Sequence, residues 1–333
     1  MARVDEARAI NPHFLAVLAF AGLVAAVAAV IALTGNPMDG EPVVRFDIST
    51  PATPPPPPAP RSVEGNLVFD PALIERTEAG EIPRIAADGR TPMAAYAADF
   101  SAPADIPRIA IVIGGLGLSA SATTLALERL PKGVTLSFAP YAADVQHWVD
   151  QARGQGHEVL LEVPMEPMGA SNPGPHTLLT AASAEANLQN LHWALARFSG
   201  YVGLTNLLGA RFLSDRASAL SLLAECRKRG LLFFDNGANP HTLTADAGGQ
   251  VGAPSITGAL VLDADKSPDA IRARLADLEQ QARGRGAASA SGFLYPETIA
   301  AVADWATSLE KKGLVLAPLT ATASQPPQAL PQH

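Results

Sequence analysis

The chain has 333 residues, a formal net charge of −8 and a single cysteine, Cys226. This length accommodates one large domain with additional segments. The acidic balance argues against a nucleic-acid partner, which would require a basic face, and one cysteine excludes an internal disulfide and a cysteine-based zinc site. Cys226 lies in an apolar helical pattern and is expected to be a small, buried hydrophobic residue.

The N-terminal region predicts a membrane anchor. Residues 1–13 are short and polar and are predicted to be cytoplasmic, whereas residues 14–33 are uncharged and mostly apolar. About 20 residues cross a bilayer as a helix, and this run is longer than the usual core of a signal peptide. We therefore predict a retained transmembrane anchor over 14–34. A cleaved signal peptide is the alternative, since Ala28 and Ala32 leave a small-residue cleavage site open.

The charges around this run predict its orientation. Arg3 and Arg8 precede it, and the flank after it carries Asp39 and Glu41 with Arg45 as its only basic residue. Basic residues stay in the cytoplasm and acidic residues count little. The N-terminus is therefore expected in the cytoplasm and the large domain on the other side of the membrane.

Two segments separate the predicted anchor from the regular part of the chain. Residues 35–65 are predicted to be a linker, because the five consecutive prolines at 54–58 favour an extended polyproline II spacer. Residues 66–105 carry apolar groups too dense for a free linker and are predicted to form an extended arm on the domain surface. At the other end of the chain, residues 321–333 are expected to be a disordered tail.

The region 106–320 is predicted to be one α/β domain, because short apolar runs alternate with longer helical patterns from Arg108 onward. Such alternation indicates parallel strands joined by right-handed crossovers. Seven or eight units without an internal repeat fit either an irregular barrel or an open doubly wound sheet. The predicted strands are 109–113, 134–138, 158–163, 201–204, 231–234, 259–262, 287–290 and 314–317, and the predicted helices are 119–130, 143–154, 183–198, 215–229, 268–284 and 296–312.

The first predicted strand ends in Gly114 and Gly115, where α/β folds place their sites. The following Leu116-Gly117 invites comparison with a dinucleotide-binding loop. The G-x-G-x-x-G spacing fails, however, because its last position is Ala120. No acidic residue closes the next strand, and no Walker A sequence occurs, so nucleotide binding is not expected.

Polar side chains follow three further predicted strands. Glu166 is either a catalytic carboxylate or a solvated loop acid. Asn206 and Arg211 either bind a substrate or anchor a turn. Asp235 is either functional or structural, in which case it caps the next segment or pairs with Arg211. No histidine pair has the spacing of a hydrolytic zinc site, and no G-x-S-x-G nucleophile elbow occurs.

Several motifs resemble those of one family, the divergent branch of the polysaccharide deacetylases, over about residues 105–320. They are the strand and glycines at 109–117, the motif G-H-E-V-L-L-x-x-P-M-E-P at 156–167, Gly209-Ala210-Arg211-Phe212 and Tyr295-Pro296-Glu297-Thr298. The resemblance implies an irregular (β/α) barrel of about seven units. It also implies, by descent, removal of acetyl groups from a glycan, with a divalent metal such as zinc activating water and an Asp acting as general base.

The chain departs from this family at the positions that carry the chemistry. The family has an Asp-Asp pair where this chain has Gly114 and Gly115, and it has histidines where this chain has Leu207 and Phe293. The remaining strand-end acid is kept as Asp235. The resemblance therefore implies that the base and most metal ligands are missing together, and no cofactor is expected. Loss of a general base alone forfeits roughly 10²–10⁴ in rate.

Three hypotheses follow. In the first, a non-catalytic relative in the periplasm, tethered to the inner membrane by one pass over 14–34, binds a cell-envelope glycan or an envelope protein at the former active-site mouth. In the second, a carbohydrate hydrolase uses relocated carboxylates, Glu166, Asp235 and Glu297. In the third, the arm 66–105 fills the mouth of a purely structural protein. The residues expected to contact a ligand are Gly114, Gly115, Asn206, Arg211, Asn236 and Phe293.

Overall fold

The computed structural model describes residues 60–63 and 66–323, together with Ala25, Ala26 and Ala29, which are helical. The predicted anchor and linker lie mostly outside the described residues, and so does the predicted tail from residue 324 onward. Of the helices that the structure describes, none combines the length and the apolar character needed to cross a membrane.

The segment before the main sheet contains two small antiparallel ladders. The first ladder pairs residues 61–63 with residues 66–69. The second ladder is a tight hairpin that pairs residues 74–77 with residues 80–83. A one-turn 3₁₀ helix, capped by the side chain of Asp70, connects the two ladders. The elements of this segment are β1 (Arg61–Val63), β2 (Asn66–Phe69), β3 (Ile74–Thr77), β4 (Gly80–Pro83) and α1 (Pro92–Ala95).

The main sheet has nine strands, all of them parallel. Every strand predicted from an apolar run is present, and one further short strand, at 255–257, was not predicted. The strands are β5 (Arg108–Leu116), β6 (Thr135–Phe138), β7 (Val159–Met165), β8 (Gly203–Leu208), β9 (Leu232–Asp235), β10 (Ser255–Thr257), β11 (Leu260–Val261), β12 (Ala287–Phe293) and β13 (Val315–Leu316).

The order of the strands makes the sheet curl. The order is β10-β9-β8-β7-β6-β5-β12-β11, with β13 pairing the first residues of β5. The two ends of this path, β10 and β11, are separated in the chain only by Gly258 and Ala259. Gly258 donates its N–H to Asp235 of β9, and Ala259 donates to Ser289 of β12. The edges of the sheet therefore approach each other, and the strands surround an interior.

Helices cross between consecutive strands. Several begin at a capping residue, as where Asp215 accepts a hydrogen bond from the N–H of Ser218, and end at a glycine with positive φ such as Gly230. The last predicted helix ends early and is followed by a 3₁₀ turn at Glu310–Lys312. The helices are α2 (Ala120–Arg129), α3 (Val145–Gly154), α4 (Ala184–Leu195), α5 (Arg216–Arg229), α6 (Thr244–Val251), α7 (Pro268–Arg285) and α8 (Pro296–Ala306).

The strands divide the core into two layers, since successive side chains of a strand point to opposite faces. On β5, Ile109, Ile111 and Ile113 pack in the large outer cluster under the helices. Ala110 and Val112 belong instead to a smaller inner cluster, inside the curled sheet. The same alternation places Leu160 and Glu162 of β7, and Glu158 just before it, on the inner face.

The arm and the C-terminal turn close the interior at the amino ends of the strands. Leu73, Tyr96 and Leu319 are buried in the inner cluster. Glu158, at the amino end of β7, accepts hydrogen bonds from the N–H of Ala98 (3.3 Å) and of Thr320 (2.9 Å). The alternative in which the arm fills the mouth is therefore wrong, because the arm packs at the opposite end of the sheet from the strand carboxyl ends.

Candidate functional site

A cavity of about 190 Å³ lies at the carboxyl ends of the strands. This is the end at which sites form in parallel α/β folds, because several strands deliver side chains to one place. Two exposed residues, Leu208 and Ala238, stand at its rim. The other lining residues discussed below are Gly114, Ser137, Glu162, Asn206, Leu207, Asn236, Asp263 and Phe293.

Glu162 is the buried carboxylate of this cavity, with 3% of its surface exposed. Its Oε1 accepts hydrogen bonds from the N–H of Gly115 (2.5 Å) and the hydroxyl of Ser137 (2.9 Å). Its Oε2 has no hydrogen-bond partner. Burial raises the pKa of Glu162 to about 7, although the two hydrogen bonds to Oε1 act in the opposite direction.

The absence of a side chain at Gly114 leaves room for the carboxylate of Glu162. A Cβ at position 114 would lie 2.8 Å from Oε1 of Glu162 and 3.1 Å from Oγ of Ser137. The room that a side chain at 114 would occupy is therefore filled by Glu162, which extends from the inner face of β7.

Gly115 and Phe293 are fitted to each other in a similar way. Gly115 has a φ of +83°, which favours glycine, and a Cβ there would collide with the ring of Phe293. The backbone N–H of Phe293 donates to Oδ2 of Asp263 at 2.6 Å, and the hydroxyl of Thr298 donates to the same oxygen at 2.8 Å. Asp263 thus holds the end of β12, and its buried carboxylate lines the cavity.

Asn206 and Asn236 join the ends of β8 and β9. Oδ1 of Asn206 accepts a hydrogen bond from the N–H of Asn236 (2.9 Å), and its Nδ2 donates to the carbonyl of Leu208 (2.6 Å). Leu208 has a φ of +62°, an unusual conformation for a leucine, and this amide holds its carbonyl. Both asparagines line the cavity with their hydrogen-bonding groups engaged by the backbone.

Asp235 is fully buried but faces away from the cavity. The preceding side chain, Phe234, lies in the inner cluster, so alternation along β9 turns Asp235 outward. Its Oδ2 accepts hydrogen bonds from the hydroxyls of Thr242 (2.5 Å) and Thr244 (2.8 Å), and its Oδ1 accepts from the N–H of Gly237 (3.0 Å). This carboxylate organises the loop into α6, and the alternative in which it pairs with Arg211 is wrong.

Glu166 and Arg211 lie in a neighbouring surface groove. Oε1 of Glu166 is 3.5 Å from Nε of Arg211, and Oε2 accepts hydrogen bonds from the N–H and the hydroxyl of Thr180, both at 2.7 Å. Desolvation alone would raise the pKa of Glu166. The hydrogen bonds from Thr180 and the charge of Arg211 outweigh this effect and lower the pKa. Glu297 is exposed in the first turn of α8. The structure therefore places Glu166, Asp235 and Glu297 in three separate surroundings.

The cavity residues do not fit a divalent metal of the kind that the resemblance implies. Gly114, Leu207 and Phe293 line one cavity, so the expected carboxylate and imidazole donors are missing from a single place. In the part of the chain that the structure describes, no three His, Cys, Asp or Glu side chains converge as metal ligands would. A zinc site takes three or four such ligands, whereas this cavity has two carboxylates, Glu162 and Asp263, each with one oxygen already engaged in hydrogen bonds.

The two acidic residues of the cavity, Glu162 and Asp263, were not predicted from the sequence as site residues. Asp263 directly follows a predicted strand, 259–262, so the strand-end rule that selected Asp235 also applies to it. Glu162 lies inside a strand, where its spacing of four from Glu158 is the available signal, because residues four apart in a strand share a face. Glu162 interrupts an apolar run, Asp263 ends one, and both line the cavity.

A curled parallel sheet with a cavity at the carboxyl ends of its strands places the chain among the barrel-like α/β domains. The family model described as "Divergent polysaccharide deacetylase" matches residues 111–323. The chain therefore belongs to the divergent polysaccharide deacetylase family, which confirms the resemblance of its motifs.

Bacterial relatives share this region. The chain is 37% identical to the uncharacterized protein ATU2773 of Agrobacterium tumefaciens, whose crystal structure superimposes with a TM-score of 0.70 over 72% of this chain and 98% of that one. It is 23% identical to the uncharacterized protein YibQ of Escherichia coli, over 70% of this chain and 75% of YibQ. An uncharacterized protein of Haemophilus influenzae is 22% identical over 58% of this chain and 69% of its own length.

Proposed function

We propose that this protein is a non-catalytic member of its family that binds a carbohydrate of the cell envelope at the cavity below Leu208. One observation carries the proposal: the carboxylate of Glu162 fills the space above Gly114, where the family has an aspartate. The cavity therefore holds a buried acid of its own, on β7, which favours a retained binding role.

The chemistry of the cavity supports binding without hydrolysis. A metal-dependent deacetylase needs a Lewis acid and a base that activates water. Leu207 and Phe293 make the mouth more apolar instead, and they supply neither function. Apolar walls with a few fixed polar groups are typical of sites that bind small ligands. An envelope protein remains the other partner class for this mouth.

A hydrolase with relocated carboxylates is the less supported alternative. Glycoside hydrolysis requires two carboxyl groups about 5–10 Å apart across one cleft. Glu166, Asp235 and Glu297 do not line a common cavity, and Asp235 has its hydrogen bonds within its own loop. The alternative predicts sugar release from a glycan that is lost in Glu166→Gln.

The binding test uses the full chain, purified in detergent. Co-sedimentation with purified peptidoglycan is expected to retain the protein in the pellet, and acetate release from an acetylated glycan is expected to stay at background with or without ZnCl₂. Tight, stoichiometric zinc binding by calorimetry together with acetate release would contradict the proposal.

The proposed location is the inner membrane, with residues 14–34 as a single-pass anchor and the domain in the periplasm. The apolar run at 14–33 and the prolines that follow it support this proposal. Cell fractionation is expected to place the full chain with the membranes, and a protease added to spheroplasts is expected to digest the domain. A domain that resists the protease until the membrane is lysed would contradict the orientation.

A further inference from the structure

The free oxygen of Glu162 is a buried group without a partner. Glu162 is 3% exposed, and among the described residues its Oε2 and the hydroxyl of Tyr141 are the buried side-chain atoms that make no hydrogen bond. Buried polar atoms are nearly always satisfied, so an exception asks for an explanation. Because Glu162 lines the cavity, the missing partner is expected to come from a ligand.

The charges around this oxygen are all of one sign. Asp263 is the second carboxylate of the cavity, and its Oδ1 takes part in none of the hydrogen bonds among the described residues. The lining that β5, β6, β8, β9 and β12 contribute includes no lysine, arginine or histidine. The cavity therefore presents two acids without a basic side chain to balance them, which attracts a cation.

We propose that the cavity binds the primary ammonium group of an amino sugar, with Oε2 of Glu162 as the buried acceptor and Asp263 as the second carboxylate. The sugar part of this inference rests on the proposed function. An ammonium group carries three N–H donors and no acceptor, which matches a site that offers carboxylate oxygens. A hydrogen bond between two charged groups is stronger than one between neutral groups.

Two other ligands fit this site less well. A zinc ion takes three or four protein donors, more than the two carboxylates here provide, and Oε1 of Glu162 is already bonded to Gly115 and Ser137. An uncharged acceptor, such as a carbonyl oxygen, would require a proton on Glu162 and would bring a further acceptor into a cavity that already presents two carboxylates.

The ammonium site implies a proton exchange. Glu162 has a pKa of about 7 in the empty protein, so below neutral pH it must lose its proton before it pairs with an ammonium group. Binding then releases one proton, and affinity is expected to fall up to about tenfold for each pH unit below 7. Asp263 is the other titratable group that lines the cavity, and no basic group opposes either acid among the lining residues.

The test is isothermal titration calorimetry of the full chain in detergent with glucosamine, N-acetylglucosamine, glucose and methylammonium chloride. We expect glucosamine to bind at least about tenfold more tightly than the two sugars without a free amine, as one charge-assisted hydrogen bond predicts. Glu162→Gln is expected to weaken glucosamine binding about tenfold to a hundredfold. Glu128→Gln, on the exposed face of α2, is the matched control and is expected to change nothing.

The outcomes separate this inference from the proposed function. Equal or tighter binding of N-acetylglucosamine or glucose would overturn the ammonium site and keep carbohydrate binding. Binding of methylammonium that Glu162→Gln abolishes, without preference for any sugar, would keep the ammonium site and contradict the carbohydrate. Stoichiometric zinc binding that Glu162→Gln abolishes would overturn both. The comparison among ligands uses the wild-type protein, so it does not depend on the folding of a variant.

Discussion

The carboxylate of Glu162 reaches from β7 past Ser137 to the backbone of β5 because Gly114 presents no side chain. Gly114 is not among the glycines with positive φ, so its role is the missing Cβ rather than an unusual backbone conformation. The three residues form one packed unit at the floor of the cavity. A change at one of them is therefore expected to act through the others.

The first prediction concerns the space above Gly114. Gly114→Ala is expected to destabilise the protein by about 1–3 kcal/mol, because the new methyl group crowds Oε1 of Glu162. In a Glu162→Ala background the crowding is gone, so the cost of Gly114→Ala is expected to fall. Urea unfolding of the two single variants and the double variant measures this coupling. Gly169→Ala, where a Cβ meets nothing within 4 Å, is the control, and additive costs would contradict the prediction.

The second prediction concerns the titration of Glu162. Its pKa is about 7 in the folded protein and near 4.5 when unfolded, so the native state binds the proton more tightly. Stability is therefore present at low pH and is lost as the pH rises from about 4.5 to 7, by about 3 kcal/mol. Glu162→Gln removes this loss and keeps an acceptor for Gly115 and Ser137. Urea unfolding at pH 5 and pH 7.5 compares the two proteins, and equal pH dependence would contradict the prediction.

The candidate site was partly predictable from the sequence. Six residues were predicted to meet, because they follow parallel strands whose carboxyl ends converge. Gly114, Asn206, Asn236 and Phe293 line the cavity, Gly115 packs against Phe293 beside it, and Arg211 lies in the neighbouring groove. The convergence of strand carboxyl ends does not predict how deeply a side chain is buried or which face of the sheet it points to. It places Asp235 at the same edge, yet the pleat of β9 turns this carboxylate to the other face.

At the scale of elements, Arg229 at the end of α5 connects the arm to the main domain. The side chain is 3% exposed. It donates hydrogen bonds to Glu225 in its own helix (2.5 Å) and, across to the arm, to Glu75 of β3 (3.0 Å) and the carbonyl of Pro83 in β4 (2.8 Å). One guanidinium thus holds both strands of the hairpin, which its planar set of donors suits well.

The third prediction tests this connection. Arg229→Ala is expected to cost about 3 kcal/mol in unfolding free energy, because the buried carboxylate of Glu225 loses its shortest partner. Hydrogen exchange of the hairpin, residues 74–83, is expected to speed up more than exchange in the main sheet. Arg272→Ala removes an exposed ion pair on α7 and serves as the control. Equal exchange in the hairpin of both variants would show that Arg229 does not hold the arm.

Strands and helices with a strong apolar sequence pattern were predictable, and those without such a pattern were not. Ile109 to Ile113 form a β-branched apolar run that identifies a strand by itself. The short strand β10 has one apolar residue, Ile256, and no alternation to reveal it. Helix α6 contains Gly248 and Gly249, which disfavour a helix, and its position is decided by tertiary contacts such as the bonds of Thr244 to Asp235.

At the scale of the whole molecule, the interior of the curled sheet has two different ends. The carboxyl end is the cavity, whereas the amino end is closed by residues far apart in the chain, from Leu73 in the arm to Leu319 near the last described residue. Glu158 bonds both the arm and the C-terminal turn, and burial raises its pKa. The domain therefore needs segments outside the alternating strands and helices to complete its core.

The fourth prediction tests the closed end. Leu319 is fully buried, and Leu319→Ala is expected to lower the free energy of unfolding by about 2–5 kcal/mol, since it leaves a cavity in the inner cluster. Thermal unfolding measures the effect. Leu118→Ala, at a position that is 54% exposed, is the control and is expected to stay within about 0.5 kcal/mol of the wild type. An equal effect of the two changes would mean that the C-terminal turn is not part of the core.

The fit between Gly114 and Glu162 also limits which single substitutions position 114 tolerates. An aspartate at 114 would bring a second carboxylate into space that Glu162 already holds, so a single mutation to the acidic residue meets both crowding and like-charge repulsion. An aspartate at 114 therefore requires that the side chain at 162 shrink or move first. The packing of Gly114 against Glu162 thus makes an acidic residue at 114 hard to introduce by one substitution alone, unless residue 162 changes as well.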